Sequence, residues 1–593
     1  MTRIPDDGGL RRHGWALVTL GVPILIIAIL LARFSLDARS SEPGARVTLL
    51  DSLEVVGTVK GPASGESGWD LFIDDEGNFY TAGHHGGLDT NGDGTVDLPA
   101  DGIDPMFTKS APDGSITWLF SPTAPGFDDA RSIASDRAGG LYAVGYVKNG
   151  TFRIEPSITL RSTGTWDAYL LRLGANGRSI WVRTTSGDSI ESFSDVASDA
   201  DGNAYVTGMG YRSFGLEGHS SRIDAGTGLA QFVASYDPDG TLRWVRSWPD
   251  ARGWRFHEVA IGRSGEVWVA GSHGEAGVDL DADGQPELEG RGGFNVFLAR
   301  LDPDGVLEDA WQVVSLDGER GRVEVAEIVF TDDGDVVIGG TVVGSVDFDG
   351  DGRADARSYD GTPSSGYLAR YSPEGELRWA RAHVIDRVWD VATDGRRFAL
   401  AGFYEGDRDL NQDGTIDEAD GLRDTSGDED PSSDLLVLVV SEEGRLERHI
   451  NAPGIGGDQA RAVAFLPRRS AIWVTGFFKL GADFDGTLRD GQAYIRCDAL
   501  GDIFWARYGL IEEPGIVLTA DPWKDGPRRR GDLQWTGAAT TRIEVYRDGT
   551  PVTSTMNDGV HRDTLPANAT GSFQYRVCEI GTGRCSNPVT ITF

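Results

Sequence analysis

The sequence predicts an all-β chain built on a repeated four-stranded unit, and three observations predict it. Glycine makes up 81 of the 593 residues, about twice its usual share, with no Gly-X-Y period. Hydrophobic residues reach 39% and fall in short runs between Gly- and Asp-rich turns, the pattern of many short strands. One strand–turn–strand motif recurs along most of the chain, and recurrence at a fixed period marks a repeat architecture.

The first segments, however, are not expected to be β. Arg3, Arg11 and Arg12 precede "WALVTLGVPILIIAILLA", Trp15–Ala32, a run without charge. A cleavable signal carries an apolar region of about 7–15 residues and a spanning helix needs about 20. This run is nearer the second. Residues 1–13 are therefore expected to be a cytoplasmic segment, 14–33 a transmembrane signal-anchor helix and 34–49 a linker. Cleavage after Ser40, which would release the chain, is the alternative. Either way the bulk of the chain is expected outside the cytoplasm. The formal net charge of −37 excludes a nucleic-acid partner, because a phosphate backbone needs a basic surface.

The repeat follows. "WDLFIDDEGNFYTAG" (69–83), "RSIASDRAGGLYAVG" (131–145), "SDVASDADGNAYVTG" (194–208) and "HEVAIGRSGEVWVAG" (257–271) share one pattern. So do "AEIVFTDDGDVVIGG" (326–340), "VWDVATDGRRFALAG" (388–402) and "ARAVAFLPRRSAIWVTG" (460–476). Their closing glycines are 62 to 74 residues apart. A second hairpin alternates with the first, as in "DAYLLRLGANGRSIW" (167–181), "AQFVASYDPDGTLRW" (230–244) and "QAYIRCDALGDIFW" (492–505). Its Asp/Asn-Gly turns suit tight hairpins. Four strands per period, repeated four to eight times, make a β-propeller, so residues 50–512 are expected to form one of seven blades. Trp118, Trp181, Trp244, Trp311, Trp379 and Trp505 close the second hairpin, and recurrence at one position points to packing rather than to ligand stacking. "SLEVVGTV" (52–59) is spaced like a fourth strand and is expected to pair with the last blade.

The unit "DVASDADGNAYVTG…DAYLLRL…GRSIW" resembles the bacterial seven-bladed β-propeller (SBBP) repeat. The resemblance implies an exported or surface propeller without a defined catalytic activity. Blade 6 lacks the closing Trp, and blade 7 has "LPRRS" where the family prefers Asp-x-x-Gly.

Between the second and third strands of four blades lie acidic loops. Blade 1 offers Asp89, Asn91, Asp93, Thr95 through its carbonyl, and Asp97; blade 4 offers Asp279, Asp281, Asp283 and Glu287. Blade 5 offers Asp347, Asp349, Asp351 and Asp355; blade 6 offers Asp409, Asn411, Asp413, Thr415, Asp417 and Asp420. Blade 7 keeps only Asp483 and Asp485. Oxygens at alternate positions round a Gly turn match the ligand schedule of a calcium loop. Packed carboxylates repel one another unless a cation intervenes, and calcium suits the flexible oxygen set better than magnesium. "RDTSGDEDPSSD" (423–434) reads as a solvated acidic loop.

After residue 512 the spacing changes. Residues 513–593 read as six or seven short strands, which suits a β-sandwich. With Trp535 and Tyr575 as core aromatics, the segment resembles a fibronectin type III domain, implying a spacer or adhesion module. Cys578 and Cys585 flank a Gly-rich turn, where a disulfide could tie a hairpin in an oxidising compartment. Cys497 reads as a small buried hydrophobe. Arg530-Gly531-Asp532 opens a predicted strand and reads as a chance tripeptide.

No Gly-x-Ser-x-Gly elbow, HExxH or phosphate loop occurs. His84, His85 and His273 lie near the acidic loops and read as polar loop residues. The expectation is thus an exported, calcium-stabilised binding protein of the cell envelope, with an unknown protein or polysaccharide ligand and no enzymatic activity. The alternative is an envelope glycan hydrolase using carboxylates at the propeller channel.

Overall fold

The computed structural model describes residues 48–49, 53–59 and most of 67–593. The longer segments left out of that last range are 90–94, 411–421, 423–432, 485–493, 496–501, 511–515 and 580–585. The expected anchor, 14–33, lies outside the described residues. Among those described, no helix is long and apolar enough to cross a membrane.

The chain is all-β and propeller-like. Consecutive antiparallel units of four strands follow the sequence repeat. Unit 1 comprises Ser67–Ile73, Phe79–His85, Gly102–Ser110 and Ile116–Phe120. Unit 2 comprises Asp129–Ser135, Leu141–Lys148, Trp166–Leu173 and Ser179–Gly187. Units 3, 4, 5 and 6 begin at Glu191–Ser198, Trp254–Ile261, Arg322–Phe330 and Arg387–Thr393 and repeat the pairing order first–second–third–fourth. Unit 7 begins at Gln459–Phe465. The first strands pack in a closed cycle, each against its neighbour, with that of unit 7 against that of unit 1. They are thus the innermost strands.

Turn chemistry sets the hairpins. Asp199 Oδ1 accepts from the Asp201 and Asn203 amides at 3.0 and 2.8 Å, and Asp237 Oδ1 does the same for Asp239 and Thr241 at 3.0 and 2.8 Å. These side chains mimic a backbone turn. Middle strands are buried on both faces, as in Ser365–Tyr371, whereas fourth strands such as Leu377–His383 are half-exposed.

Unit 7 departs from the sequence expectation. Residues 492–505 are not its outer hairpin. Its third strand is Asp502–Gly509, paired with Ala471–Phe478, and its fourth is Leu53–Val59 from the start of the propeller. The expected pairing of this segment with the last unit is therefore observed over Leu53–Val59. The register explains the shift: Asp502-x-Phe504-x-x-Arg507 matches Asp167-x-Tyr169-x-x-Arg172 of unit 2. Asp167 and Asp502 are both buried. Arg172 and Arg507 each donate to a proline carbonyl in the following unit, Pro238 and Pro112. Trp505 thus lies on a third strand and is not equivalent to the other tryptophans.

Those others do pack between units. The indoles of Trp118, Trp181 and Trp244 donate to the carbonyls of Ala175, Pro238 and Pro303 at 3.1, 2.9 and 2.9 Å. Each acceptor lies in the next unit's outer turn. A Cβ added at that turn's glycine, Gly177, Gly240 or Gly305, would fall 2.6–2.8 Å from the same ring. Both features need glycine, which also holds a positive φ there.

The C-terminal segment forms two sheets. One contains Val517–Asp525, Arg528–Thr536 and Val560–Leu565; the other contains Thr550–Met556, Arg542–Arg547, Ser572–Glu579 and Val589–Thr592. Trp535, Ile543, Tyr575 and Val577 fill the core between them. Arg530-Gly531-Asp532 lies in mid-strand with neighbours on both sides, and Arg530 pairs with Asp532. Cys578 is disulfide-bonded; Cys585 and Cys497 lie outside the described residues.

Candidate functional site

The acidic loops connect second to third strands. In unit 4, oxygens of Asp279, Asp281, Asp283 and Glu287 all come within 4.8 Å of one another. In unit 5, Asp347, Asp349 and Asp355 do the same, with Asp351 outside that group. Local sequence explains the convergence. Val278 and Leu280, and Val346 and Phe348, alternate with the acids and are buried, so the intervening carboxylates turn to the other side. Val278 bridges Leu288, and Val346 pairs with Ala356, pinching each loop shut. Gly352 and Gly284 donate to Asp347 and Asp279 at 2.8 and 2.9 Å. Burial, with the charges of Asp349 and Asp347, pushes the Asp355 carboxyl up.

The donor set fits a hard divalent cation. Asp279 Oδ1 is buried with no hydrogen-bond partner, an orphaned anionic oxygen whose desolvation a cation would offset. In unit 1, Asp89, Thr95 and Asp97 flank a Leu88–Leu98 bridge of the same kind, while Asn91 and Asp93 lie outside the described residues. In unit 6, Asp409 is described and Asn411, Asp413, Thr415, Asp417 and Asp420 are not; in unit 7, Asp485 is not.

The histidines are not loop residues. His84, His85 and His273 end second strands and are buried. His84 meets Asp129 and the Trp69 indole, each at 2.9 Å; desolvation pushes the His85 imidazole down to about 4, so it is neutral at pH 7.

Sequence reasoning invoked carboxylates at the channel but named none of the residues that line it. Every first strand carries a β-bulge. In five of them an acid follows the bulged residue: Asp70, Asp195, Glu258, Glu327 and Asp390. Four lie 13 residues before the closing glycine of the repeat and Asp390 lies 12 before it, a signal that alignment on those glycines would have exposed. The aspartates stitch neighbouring units together. Asp70 accepts from the Ile133 amide, Asp195 from Val259 and Asp390 from Val463, each at 2.7 Å. These carboxyls keep some contact with the lumen, but the inner strands surround them closely. Burial, then mutual repulsion, lifts Asp70 to about 6 and Asp390 to about 7. Glu258 and Glu327 go well above the usual range, for the same reasons.

The bulged residues themselves form a rim. Arg461 lies 4.6 Å from the Trp69 ring and 4.0 Å from the Trp389 ring, and these come from the two units flanking unit 7. Arg387 stands over Trp389 at 4.5 Å and pairs with Glu324 at 2.6 Å; Arg322 pairs with the same carboxylate.

No family model matches the chain, and no curated protein matches it. Solved structures do. A catalytically inactive virginiamycin B lyase from Staphylococcus aureus, solved with quinupristin, matches at 9% identity and a TM-score of 0.36, over 76% of this chain and 98% of that one. The WD40 domain of Neurospora crassa Pan2 matches at 9% identity and TM-score 0.32, over 64% and 89%. A puromycin hydrolase variant matches at 12% and 0.38, over 79% and 59%. These likenesses carry nothing about activity.

Proposed function

We propose that the chain is an exported, calcium-stabilised binding protein of the bacterial cell envelope. Its body would be a seven-bladed propeller of the SBBP-repeat kind, followed by a fibronectin type III-like sandwich. The observation that carries the calcium reading is the convergence of four acids in unit 4 and three in unit 5, at equivalent connections. The closed cycle of first strands supports the blade count, and the three- and four-stranded sheets around Trp535 and Tyr575 support the sandwich. Export, by anchor or by cleaved signal, rests on the apolar run Trp15–Ala32 and on the acidic remainder. The partner would be an envelope protein or polysaccharide. The hydrolase alternative is the weaker reading, because Asp70, Asp195 and Asp390 spend oxygens on neighbouring amides.

Calcium would be held by Asp279, Asp281, Asp283 and Glu287, and by Asp347, Asp349 and Asp355. It would neutralise carboxylates that otherwise repel and so fix the long connections. A ligand bound only by the folded state at 100 times its Kd adds about 2.7 kcal/mol per site. Melting with calcium, with magnesium and with chelator tests this. Calcium is expected to raise the Tm by several degrees, and D281N/D349N to remove most of the rise. An unchanged Tm on chelation would sink the reading.

A further inference from the structure

The rim of the lumen concentrates positive charge in a chain of net charge −37. Arg131, Arg322, Arg387 and Arg461 stand on first strands, and the carboxylates that pair with them are Asp129 and Glu324. Glu324 serves two arginines, and Asp129 also meets His84 at 2.9 Å. Arg461 has no carboxylate within ion-pair distance among the described residues. Burial, and then the charge of Arg387, pushes its guanidinium down to about 10. Glu324 is already shared by Arg322 and Arg387, so the Arg461 charge is left uncompensated, and a buried like-charged neighbour is costly unless an anion joins it.

The hydrogen bonds point the same way. Arg461 Nε, Arg387 Nε and Trp389 Nε1 are buried without a partner, and Arg461 and Arg387 both lie against the Trp389 ring. These three atoms are donors; the unpartnered acceptors on neighbouring residues are Glu324 Oε2, already in the Arg387 ion pair, and Gln459 Oε1. Buried donors are ordinarily satisfied, and these three, which no described acceptor reaches, leave room for an acceptor from outside. Indole rings at Trp69 and Trp389 hold the Arg461 guanidinium by cation–π contact, which favours a fixed planar fork over a mobile charge. Such a fork matches the two oxygens of a carboxylate or phosphate.

We propose that the inner rim at Arg387, Trp389, Arg461 and Trp69 is an oxyanion site, taking the carboxylate or phosphate group of a small molecule or saccharide. It deepens the binding reading above by naming the ligand's chemistry. The connections holding the acidic loops leave the same side of the ring as the first strands enter, because strands alternate in direction. A charged polymer reaching the rim therefore passes those loops.

Titration of the full chain with galacturonate, inorganic phosphate and neutral galactose, followed by tryptophan fluorescence and calorimetry, tests the site. Saturable binding of galacturonate, of phosphate or of both is expected, weakening as salt rises, with none for galactose. Galacturonate alone assigns a saccharide carboxylate, and phosphate alone a phosphoryl group. Arg461→Met should weaken binding by about tenfold or more, and Arg461→Lys should restore only part of it, because an ammonium lacks the fork. No saturation with either oxyanion overturns the proposal whether or not the variants fold, as does equal binding of galactose or undiminished binding by a folded Arg461→Met. Each titration is run with calcium and with chelator. A chain whose Tm ignores chelator but which binds oxyanion loses the calcium reading and keeps this one; the converse result does the reverse.

Discussion

Replacing Gly240 by alanine probes how one unit locks onto the next. Gly240 holds φ at 78° in the outer turn of unit 3, and an added Cβ would lie 2.8 Å from Cδ2 of Trp181 in unit 2. Two costs arise. A side chain at this φ carries about 1–2 kcal/mol of backbone strain. The clash is with an indole anchored by its hydrogen bond to Pro238 at 2.9 Å, and overpacking a fixed neighbour costs about 1–3 kcal/mol more. Gly334 separates the two, because its φ is 90° but a Cβ there meets nothing within 4 Å. Gly334→Ala should therefore cost the strain alone, about 1–2 kcal/mol, and Gly240→Ala about 2–5 kcal/mol in total. In a Trp181→Ala background the cost of Gly240→Ala should fall towards that of Gly334→Ala, because the other close neighbour, Arg183 Nη2 at 2.8 Å, is the flexible end of a side chain. The assay is denaturant unfolding of each variant, compared at constant calcium. Equal losses at Gly240 and Gly334, or an unchanged Gly240 penalty without the indole, would refute the reasoning.

Two other outcomes follow from the same geometry. A chain lacking residues 1–59 leaves the strand Asp502–Gly509 with an open edge, an invitation to self-association. It should oligomerise on size exclusion and return to monomer when a peptide of residues 50–62 is added in trans; a monomeric, fully stable truncated chain would count against closure. The pH dependence has a defined direction above pH 6.5. Burial, with the charges of Asp167 and Asp434 respectively, raises Glu191 and Asp458 to about 8, whereas in the unfolded chain such carboxyls titrate near 4. The folded state then binds more protons, so the contribution of these two carboxyls is full below about pH 4 and is lost as pH rises to about 8. His85, His257, His383 and His449, pushed down to about 4 by burial, destabilise only below 6.5, where unfolded histidine takes up a proton. Between pH 6.5 and 8.5 the Tm should therefore drop, and Asp458→Asn with Glu191→Gln should flatten the decline. A Tm that rises across this window would contradict these burial effects.

The sequence by itself determined what depends on neighbours a few residues away. Strand, Asp–Gly turn and strand are written into each hairpin, since the turn side chains bond their own backbone. The alternation that folds Asp279, Asp281 and Asp283 to one side of Val278 and Leu280 is equally local. Tryptophans at a fixed position announced packing between units because the period itself repeats the contact. Only the tertiary structure decided which strand completes the last unit. "DIFWARYG" and "QAYIRCDAL" are both plausible third strands, and the choice fell to the register that buries Asp502 and leaves room for Leu53–Val59. It also decided the meaning of Asp70, Asp195, Glu258, Glu327 and Asp390, and of Trp69, Trp389 and Arg461. Each looks like an ordinary strand residue in its own repeat. They meet only because the first strands close into a cycle, and neither shared burial nor mutual repulsion exists until groups far apart in the chain are brought to one lumen.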